Sequence, residues 1–413
     1  MTDVNTDTAI AASLVAQDFE AVIEQVRDAV ADHPAKALAS PVIKDWLGRR
    51  YRNLFLAEAL EDKRAMRAAA NRVPLPMQFV DRRSNTELLS SRFLHRAARE
   101  EAVVEMPAAA MPEVSSDTAI VFAPGMMTGL LPTMAFQSVW PEIEDRFGIR
   151  VLTSDLHPAR SSKDNVEDLA NTFTSGSGLD SESMEIPSEE ARAPRRAVLI
   201  GYDKGATDCL QFLVDRPEFA DRVEAFVSWG GVIGGSYIAD DIAANLPASS
   251  ANDPLSGDTG RVLRQLVPVV QTDQIDRRLD EYDVAAAVND LTTGVREAFL
   301  RDHVTRLMEL KVPMFSVSGV TSVREVPYYQ ALGLLQLRNY DKNNDMLLTA
   351  AQARIPTPQA TELAMFRAHH WDLAYDPFPW YTRMGSLNVD HKFARLPAMA
   401  ALVLLLAEIG LLA

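Results

Sequence analysis

Residues 196–216, Arg-Ala-Val-Leu-Ile-Gly-Tyr-Asp-Lys-Gly-Ala-Thr-Asp-Cys-Leu-Gln-Phe-Leu-Val-Asp-Arg, contain a strand, a tight turn and a helix in direct succession. The apolar run Ala197–Ile200 is typical of a strand buried on both faces of a parallel sheet. Gly201 and Gly205 flank the turn, where a strained backbone leaves no room for side chains. The helix is predicted from apolar residues at helical spacing: Ala206, Cys209, Leu210, Leu213 and Val214. The stretch therefore predicts Asp203 at the apex of a strand-to-helix turn.

Apolar runs on either side extend this unit to an α/β fold with a mostly parallel sheet flanked by helices. Further strands are predicted at Thr118–Phe122, Arg150–Thr153, Val223–Trp229 and Val312–Ser318. The sequence divides into a helical N-terminal extension (1–117), the first part of the core (118–235), a helical insertion (236–311) and the second part of the core (312–413).

Composition limits the partners. The 413 residues carry a net charge of −16, so nucleic acid and anionic membranes would be repelled, and we expect a small-molecule or protein partner. The many apolar residues of the insertion 236–311 predict a covered, mostly hydrophobic pocket and hence a hydrophobic small-molecule substrate. Homo-oligomer formation is left open. The single cysteine, Cys209, cannot form an intramolecular disulfide and is expected to be a reduced core residue.

The chain ends give no targeting signal. The first residues lack the basic region of a signal peptide, so a cytoplasmic location is expected. The apolar segment Ala398–Ala413 is interrupted by Glu408 and Gly410 and is too short for a membrane span, so it is expected to form a buried terminal helix.

No cofactor or metal is expected. His369 and His370 are adjacent, so their side chains point to different sides of an extended segment, and the sequence contains no H-E-x-x-H motif or cysteine cluster.

Three motifs carry a resemblance to a known family. They are Phe122–Met126, Gly201–Gly205, and Asn344–Leu348 followed by His369–Leu373. From Thr118 to the carboxyl end the chain resembles the α/β-hydrolase family, and its motif order is most similar to bacterial triacylglycerol lipases and related esterases. The resemblance implies that the helical insertion 236–311 is a lid over the site.

The resemblance also implies roles for individual residues. Asp203 stands where the family has its nucleophile, which is usually serine, and Asp345 and His370 occupy the positions of the orienting acid and the base. The backbone N–H groups of Met126 and Lys204 would form an oxyanion hole. Two assignments stay open: His391 competes with His370 as the base, and Asp341 competes with Asp345 as the acid.

Aspartate changes the expected chemistry. A carboxylate attacks an ester carbonyl poorly, since the product is an anhydride, but it can displace a leaving group from saturated carbon and form an ester on its own side chain. The sequence thus predicts a hydrolase of an ester, lactone, epoxide or similar compound. Tyr237, Tyr328 and Tyr329 are candidate leaving-group donors. The alternatives are a catalytically inactive lipase-like protein that serves as a ligand-binding or interaction module, and an Asp203 introduced in place of serine.

Overall fold

A six-stranded, all-parallel sheet forms the centre of the computed structural model, with the strand order β2-β1-β3-β4-β5-β6. The strands are β1 (Thr118–Ala123), β2 (Arg150–Thr153), β3 (Arg196–Tyr202), β4 (Val223–Trp229), β5 (Met314–Gly319) and β6 (Ala360–Phe366). The structure describes residues 4–70, 82–96, 99–111, 113–126, 128–129, 131–245, 278, 281–327, 330–378 and 392–412.

Helices cover both faces of the sheet. Those before β1 are α1 (Val4–Ala16), α2 (Phe19–Asp32), α3 (Pro34–Ala37), α4 (Pro41–Glu61), α5 (Lys63–Ala70), α6 (Asn85–Phe93) and α7 (Arg99–Ala102). Those that follow are α8 (Trp140–Phe147), α9 (Ser162–Ser175), α10 (Lys204–Asp215), α11 (Tyr237–Asn245), α12 (Val284–Asp290), α13 (Thr293–Glu309), α14 (Ala331–Leu337) and α15 (Arg395–Glu408).

The N-terminal helices pack against one edge of the core. The long helix α4 begins at Pro41 after Ser40, whose hydroxyl oxygen accepts a hydrogen bond from the Ile43 N–H at 3.3 Å. It packs against α15 and β6. A buried ion pair between Arg50 and Glu408 joins α4 to α15, with Nη2 and Oε2 2.6 Å apart. Helix α4 thereby covers the outer edge of the sheet at β6.

The α/β fold class predicted from the apolar runs is confirmed. Each predicted strand forms, and the sheet is parallel throughout the described strands. Cys209 is a buried free thiol in the core between α10 and the sheet, as expected. Among the described helices, none is both long and apolar enough to cross a membrane.

The insertion 236–311 contributes three helices in its described part. Helices α11 and α12 contact each other above the carboxyl edge of the sheet, whereas α13 also packs against α10. Leu307 of α13 belongs to the same apolar cluster as Cys209. The start of the insertion therefore lies near the turn at Asp203, and its end flanks the sheet; the lid role stays a prediction.

Candidate active site

The turn between β3 and α10 places Asp203 in a strained conformation. Its backbone has φ 53° and ψ −123°, a region that residues with a side chain rarely adopt. The chain also comes very close to its neighbours: a Cβ atom on Gly205 would lie 2.0 Å from the Ala123 carbonyl oxygen. On Gly201 it would lie 2.5 Å from the Cα atom of Ala206. The two glycines are therefore required by close backbone packing.

Asp203, Asp345 and His370 meet at the carboxyl edge of the sheet. His370 follows β6, and Asp345 lies in the loop between α14 and β6. The imidazole Nδ1 is 2.8 Å from Asp345 Oδ2, and its Nε2 is 3.3 Å from Asp203 Oδ1. Asp345 and His370 are each 1% exposed. Three residues that are far apart in sequence thus form one continuous row of acid, imidazole and acid.

The loop around Asp345 holds that carboxylate in place. Asp345 Oδ1 accepts hydrogen bonds from the backbone N–H groups of Leu347 at 3.0 Å and Leu348 at 2.7 Å. The His370 N–H donates to the Asp345 carbonyl at 2.9 Å. Asp341, the competing acid, instead accepts a hydrogen bond from the Asn343 N–H through Oδ1 at 2.9 Å. Asp345 is therefore the carboxylate of this loop that contacts the imidazole.

The two carboxylate oxygens of Asp203 have different surroundings. Oδ2 accepts a hydrogen bond from the Met126 N–H at 3.0 Å, and the Lys204 N–H also helps to lower the pKa of this carboxyl group. Oδ1 faces His370. Although Nε2 is within ion-pair distance of Oδ1, it makes no well-aligned hydrogen bond with any residue in the described part of the chain. The imidazole is thus within ion-pair distance of Asp203, but its Nε2 is not hydrogen-bonded to that carboxylate.

Burial and the two acids act in opposite directions on His370. Burial disfavours the charged imidazolium, but the charge of Asp345, its hydrogen bond with Nδ1 and the nearby carboxylate of Asp203 raise the pKa of His370 to about 10. Burial also opposes ionisation of Asp203, yet the contact with His370 and the backbone N–H groups lower the pKa of this carboxyl. At neutral pH the pair is therefore an imidazolium beside a carboxylate.

This ion pair predicts a stability that falls at alkaline pH. Because the pKa of His370 rises from an ordinary 6.5 to about 10 on folding, its contribution is complete below pH 6.5 and disappears as the pH approaches 10. The lowered pKa of Asp203 affects stability only under acidic conditions. We expect the difference in unfolding free energy between wild type and His370→Gln to shrink by a few kcal/mol over this window, measured by urea denaturation. A constant difference would contradict the ion pair.

The remaining predicted site residues are placed as follows. The Nζ of Lys204 forms a buried ion pair with Asp208 at 2.7 Å. Tyr237 stacks on Tyr340, with ring centroids 3.7 Å apart. His391, Tyr328 and Tyr329 lie outside the described residues.

A small apolar cavity of about 80 Å³ opens above Asp203. A hydrophobic pocket is predicted from the sequence, but the residues that line it are not. Its walls come from α11, α12, the Asp345 loop and the segment after His370. The described lining residues are Met126, Asp203, Val232, Ser236, Ile238, Ala239, Ile242, Val288, Leu291, Leu347, Leu348 and Trp371. The apolar residues of α11 and α12 are evident in the sequence. Which of them line the cavity with Asp203 depends on how the two helices pack above the sheet.

Comparison with solved structures agrees with this architecture. A metagenomic carboxyl esterase is similar over 73% of this chain and 78% of its own, with 21% identity and a TM-score of 0.53. The fold is that of the α/β hydrolases. Two other solved structures are more distant. A mature lipase from Bacillus licheniformis has 22% identity and a TM-score of 0.42, and the match covers 65% of this chain and 88% of the lipase. A lipase-esterase related protein from Clostridium acetobutylicum has 18% identity and a TM-score of 0.33, and the match covers 64% of this chain and 94% of that protein. No family model and no curated protein matches this α/β-hydrolase-fold chain.

Proposed function

We propose that this protein is a hydrolase of small hydrophobic molecules that works through an ester formed on Asp203. One observation carries the proposal: the carboxylate is divided between two environments. Oδ2 is held by the Met126 N–H at 3.0 Å, while Oδ1 lies beside His370 at the base of an apolar cavity. One oxygen is thereby fixed by backbone dipoles, and the other is available to react.

The different contacts of the two Asp203 oxygens disfavour ester hydrolysis by attack on the substrate carbonyl. In an acyl-transfer enzyme, the backbone N–H groups at this turn would receive the carbonyl oxygen of the substrate. Here Asp203 itself takes up the Met126 N–H. A substrate carbonyl would have to displace a partly buried carboxylate from its hydrogen bond with the Met126 N–H, which leaves an ionised group less well satisfied. Attack on a saturated carbon does not require a substrate oxygen to bind the Met126 N–H.

The first step is a displacement. Asp203 Oδ1 donates an electron pair to a saturated carbon of the substrate, an oxygen–carbon bond forms, and the bond to the leaving group breaks. The leaving group departs with the bonding pair as an anion. The product is an alkyl ester on Asp203, which no longer carries a negative charge.

Loss of that charge prepares the second step. Contacts with Asp203 are among the causes that raise the pKa of His370, so esterification lowers this pKa and His370 releases its proton to solvent. The neutral imidazole, oriented by Asp345, accepts a proton from a water molecule that attacks Cγ of Asp203. The charge on Oδ2 is stabilised by the Met126 and Lys204 N–H groups. The bond between Cγ and the alkyl oxygen breaks, and the alcohol leaves with the proton from His370. The proton that remains on the Asp203 carboxyl group then passes to His370, which restores the carboxylate and the imidazolium.

Isotope labelling tests the covalent step. In a single turnover of 1-bromopropane in oxygen-18 water, the attacking water oxygen should remain in the carboxylate of Asp203, and the alcohol should carry the original carboxylate oxygen. Peptide mass spectrometry reads both products. An unlabelled Asp203 peptide after turnover would falsify the covalent mechanism.

A binding role without turnover is the second candidate. It is favoured by the lining of the cavity, because Ser236 already donates its hydroxyl proton to the Leu347 carbonyl at 2.7 Å and accepts a hydrogen bond from the Ile238 N–H at 3.2 Å. That hydroxyl is therefore not available to assist a leaving group. This candidate predicts saturable association of apolar ligands with no product from halides, epoxides, lactones or esters.

A further inference from the structure

The backbone of the turn at Asp203 is held partly from outside its own helix. The Asp203 carbonyl accepts hydrogen bonds from the Ala206 N–H at 3.2 Å and from the Val232 N–H at 3.1 Å. Ala206 belongs to α10, whereas Val232 lies in the segment that follows β4. The dihedral angles of Asp203, φ 53° and ψ −123°, persist only where the surrounding structure holds them. Val232 is therefore one of the contacts that maintain the strained turn.

The same contact orients a group that the proposed reaction uses. The Asp203 carbonyl and the Lys204 N–H belong to one planar peptide unit, so they point in opposite directions. Holding the carbonyl on Val232 thus fixes the direction of the Lys204 N–H. That N–H is one of the two donors proposed to stabilise the charge on Oδ2 when water attacks the ester. The second step of the proposed reaction therefore depends on where Val232 lies.

The segment 230–233 lies very close to α10. The Thr207 hydroxyl donates to the Val232 carbonyl at 2.8 Å. A Cβ atom on Gly231 would lie 2.3 Å from the Cβ atom of Ala206, so only glycine permits this approach. Both peptide groups of Val232 are thus bonded to the turn or to the first part of α10.

The next carbonyl of this segment contacts the insertion. Arg296 of α13 donates through Nε to the Ile233 carbonyl at 3.1 Å. Arg296 is 2% exposed, and its guanidinium lies over the ring of Phe299, 4.3 Å from the centroid. Helix α13 thereby reaches the residue next to Val232, which binds the Asp203 carbonyl.

Burying Arg296 is costly. Burial lowers the pKa of its guanidinium to about 10, although the negative charges of Asp290 and Asp208 act in the other direction. Both carboxylates also have other partners, since Asp290 accepts from the Ser162 N–H at 2.7 Å and Asp208 pairs with Lys204. In the part of the chain that the structure describes, Nη2 of Arg296 has no hydrogen-bond partner. An apolar side chain would avoid these costs, so stability alone does not account for the arginine.

We infer that Arg296 is a positioning residue for the turn at Asp203. By holding the Ile233 carbonyl, it keeps the Val232 N–H on the carbonyl of that turn, and it thereby orients the Lys204 N–H. Arg296 is not among the described residues that line the cavity, so it acts through the backbone and not on the substrate. The effect on catalysis rests on the proposed function, whereas the effect on the turn rests on the hydrogen bonds alone.

Two substitutions of similar length isolate the hydrogen bond. Arg296→Gln keeps an N–H at the chain position of Nε and can still donate to the Ile233 carbonyl, whereas Arg296→Met has no donor. Both remove the charge, so the comparison between them reports the donor. Each is also made together with Asp290→Asn, which offsets the lost charge and keeps an acceptor for the Ser162 N–H, in case the single variants do not fold. Arg306→Met, at an exposed position of the same helix, is the matched control.

Amide hydrogen exchange of the full chain, resolved by NMR, tests the turn without any substrate. The Val232 N–H should exchange at least about tenfold faster in Arg296→Met than in Arg296→Gln, because its hydrogen bond to Asp203 opens more often. Wild type and Arg306→Met should resemble Arg296→Gln. Equal exchange of the Val232 N–H in the Met and Gln variants overturns the inference. An equally large rise for amides in the middle of β4 would indicate general loss of stability and also overturns it.

A single turnover of 1-bromopropane tests the consequence for catalysis. Mass spectrometry follows the loss of the propyl ester from Asp203, which should be at least about tenfold slower in Arg296→Met than in Arg296→Gln, because a displaced donor stabilises the transition state less. Equal rates in the two variants would show that the contact does not position the donor for reaction. If wild type forms no ester, the proposed function fails, and the exchange of the Val232 N–H alone decides the inference.

Discussion

Replacing Asp203 with serine is expected to produce an esterase, with hydrolysis of 4-nitrophenyl acetate at least about 10³-fold faster than by wild type. Serine would present a hydroxyl beside His370, whose Nδ1 is held by Asp345 at 2.8 Å. Removing the carboxylate also frees the Met126 N–H, which now donates to Asp203 Oδ2. A substrate carbonyl oxygen could then occupy that position.

The same substitution changes the protonation of His370. Asp203 contributes to the raised pKa of the imidazole, so the pKa should fall in Asp203→Ser and a larger fraction of His370 should be neutral near pH 7. Activity should therefore depend on His370. Asp203→Ala and the double variant Asp203→Ser with His370→Gln are the matched controls, and both should lack the new activity. Equal hydrolysis by Asp203→Ser and Asp203→Ala would show that the remaining groups do not act as a catalytic unit.

Replacing His370 with glutamine is expected to stop the proposed reaction after its first step. Glutamine cannot accept the proton from the attacking water, and loss of a general base typically costs a factor of about 10² to 10⁴. With 1-bromopropane, the alkyl ester on Asp203 should accumulate to one equivalent per chain. Intact-protein mass spectrometry measures the added propyl group, and peptide analysis locates it.

Two further variants make this result specific. Asp203→Asn with His370→Gln should not be alkylated, because the nucleophilic carboxylate is absent. His33→Gln, at an exposed histidine after α2, should turn over normally and accumulate no ester. A propyl group on any residue other than Asp203 would rule out the assigned nucleophile, and continued turnover by His370→Gln would rule out the assigned base.

The strands of this fold could be predicted because strands buried on both faces of a parallel sheet are encoded as short apolar runs. The boundary at β5 shows the limit of that signal. The run at Val312–Ser318 suggests a strand from its first residue, but β5 begins at Met314. Pro313 precedes it and has no N–H to donate to a neighbouring strand, although its carbonyl accepts from Phe226. Local backbone chemistry thus decides where an apolar run becomes a strand.

The turn at Asp203 is encoded locally, because side chains at Gly201 and Gly205 would collide with backbone atoms. The order of the apolar strands and the separation of Asp345 from His370 along the chain are also readable from the residues alone. Three features depend instead on how distant segments pack: the contact of the imidazole with Asp345 and not Asp341, the oxygen of Asp203 that accepts from the Met126 N–H, and the size of the cavity. These features depend on distances of a few ångströms between segments far apart in sequence. Such distances, and the pKa values that follow from them, are set when helices and loops pack together, and no local pattern of residues encodes them.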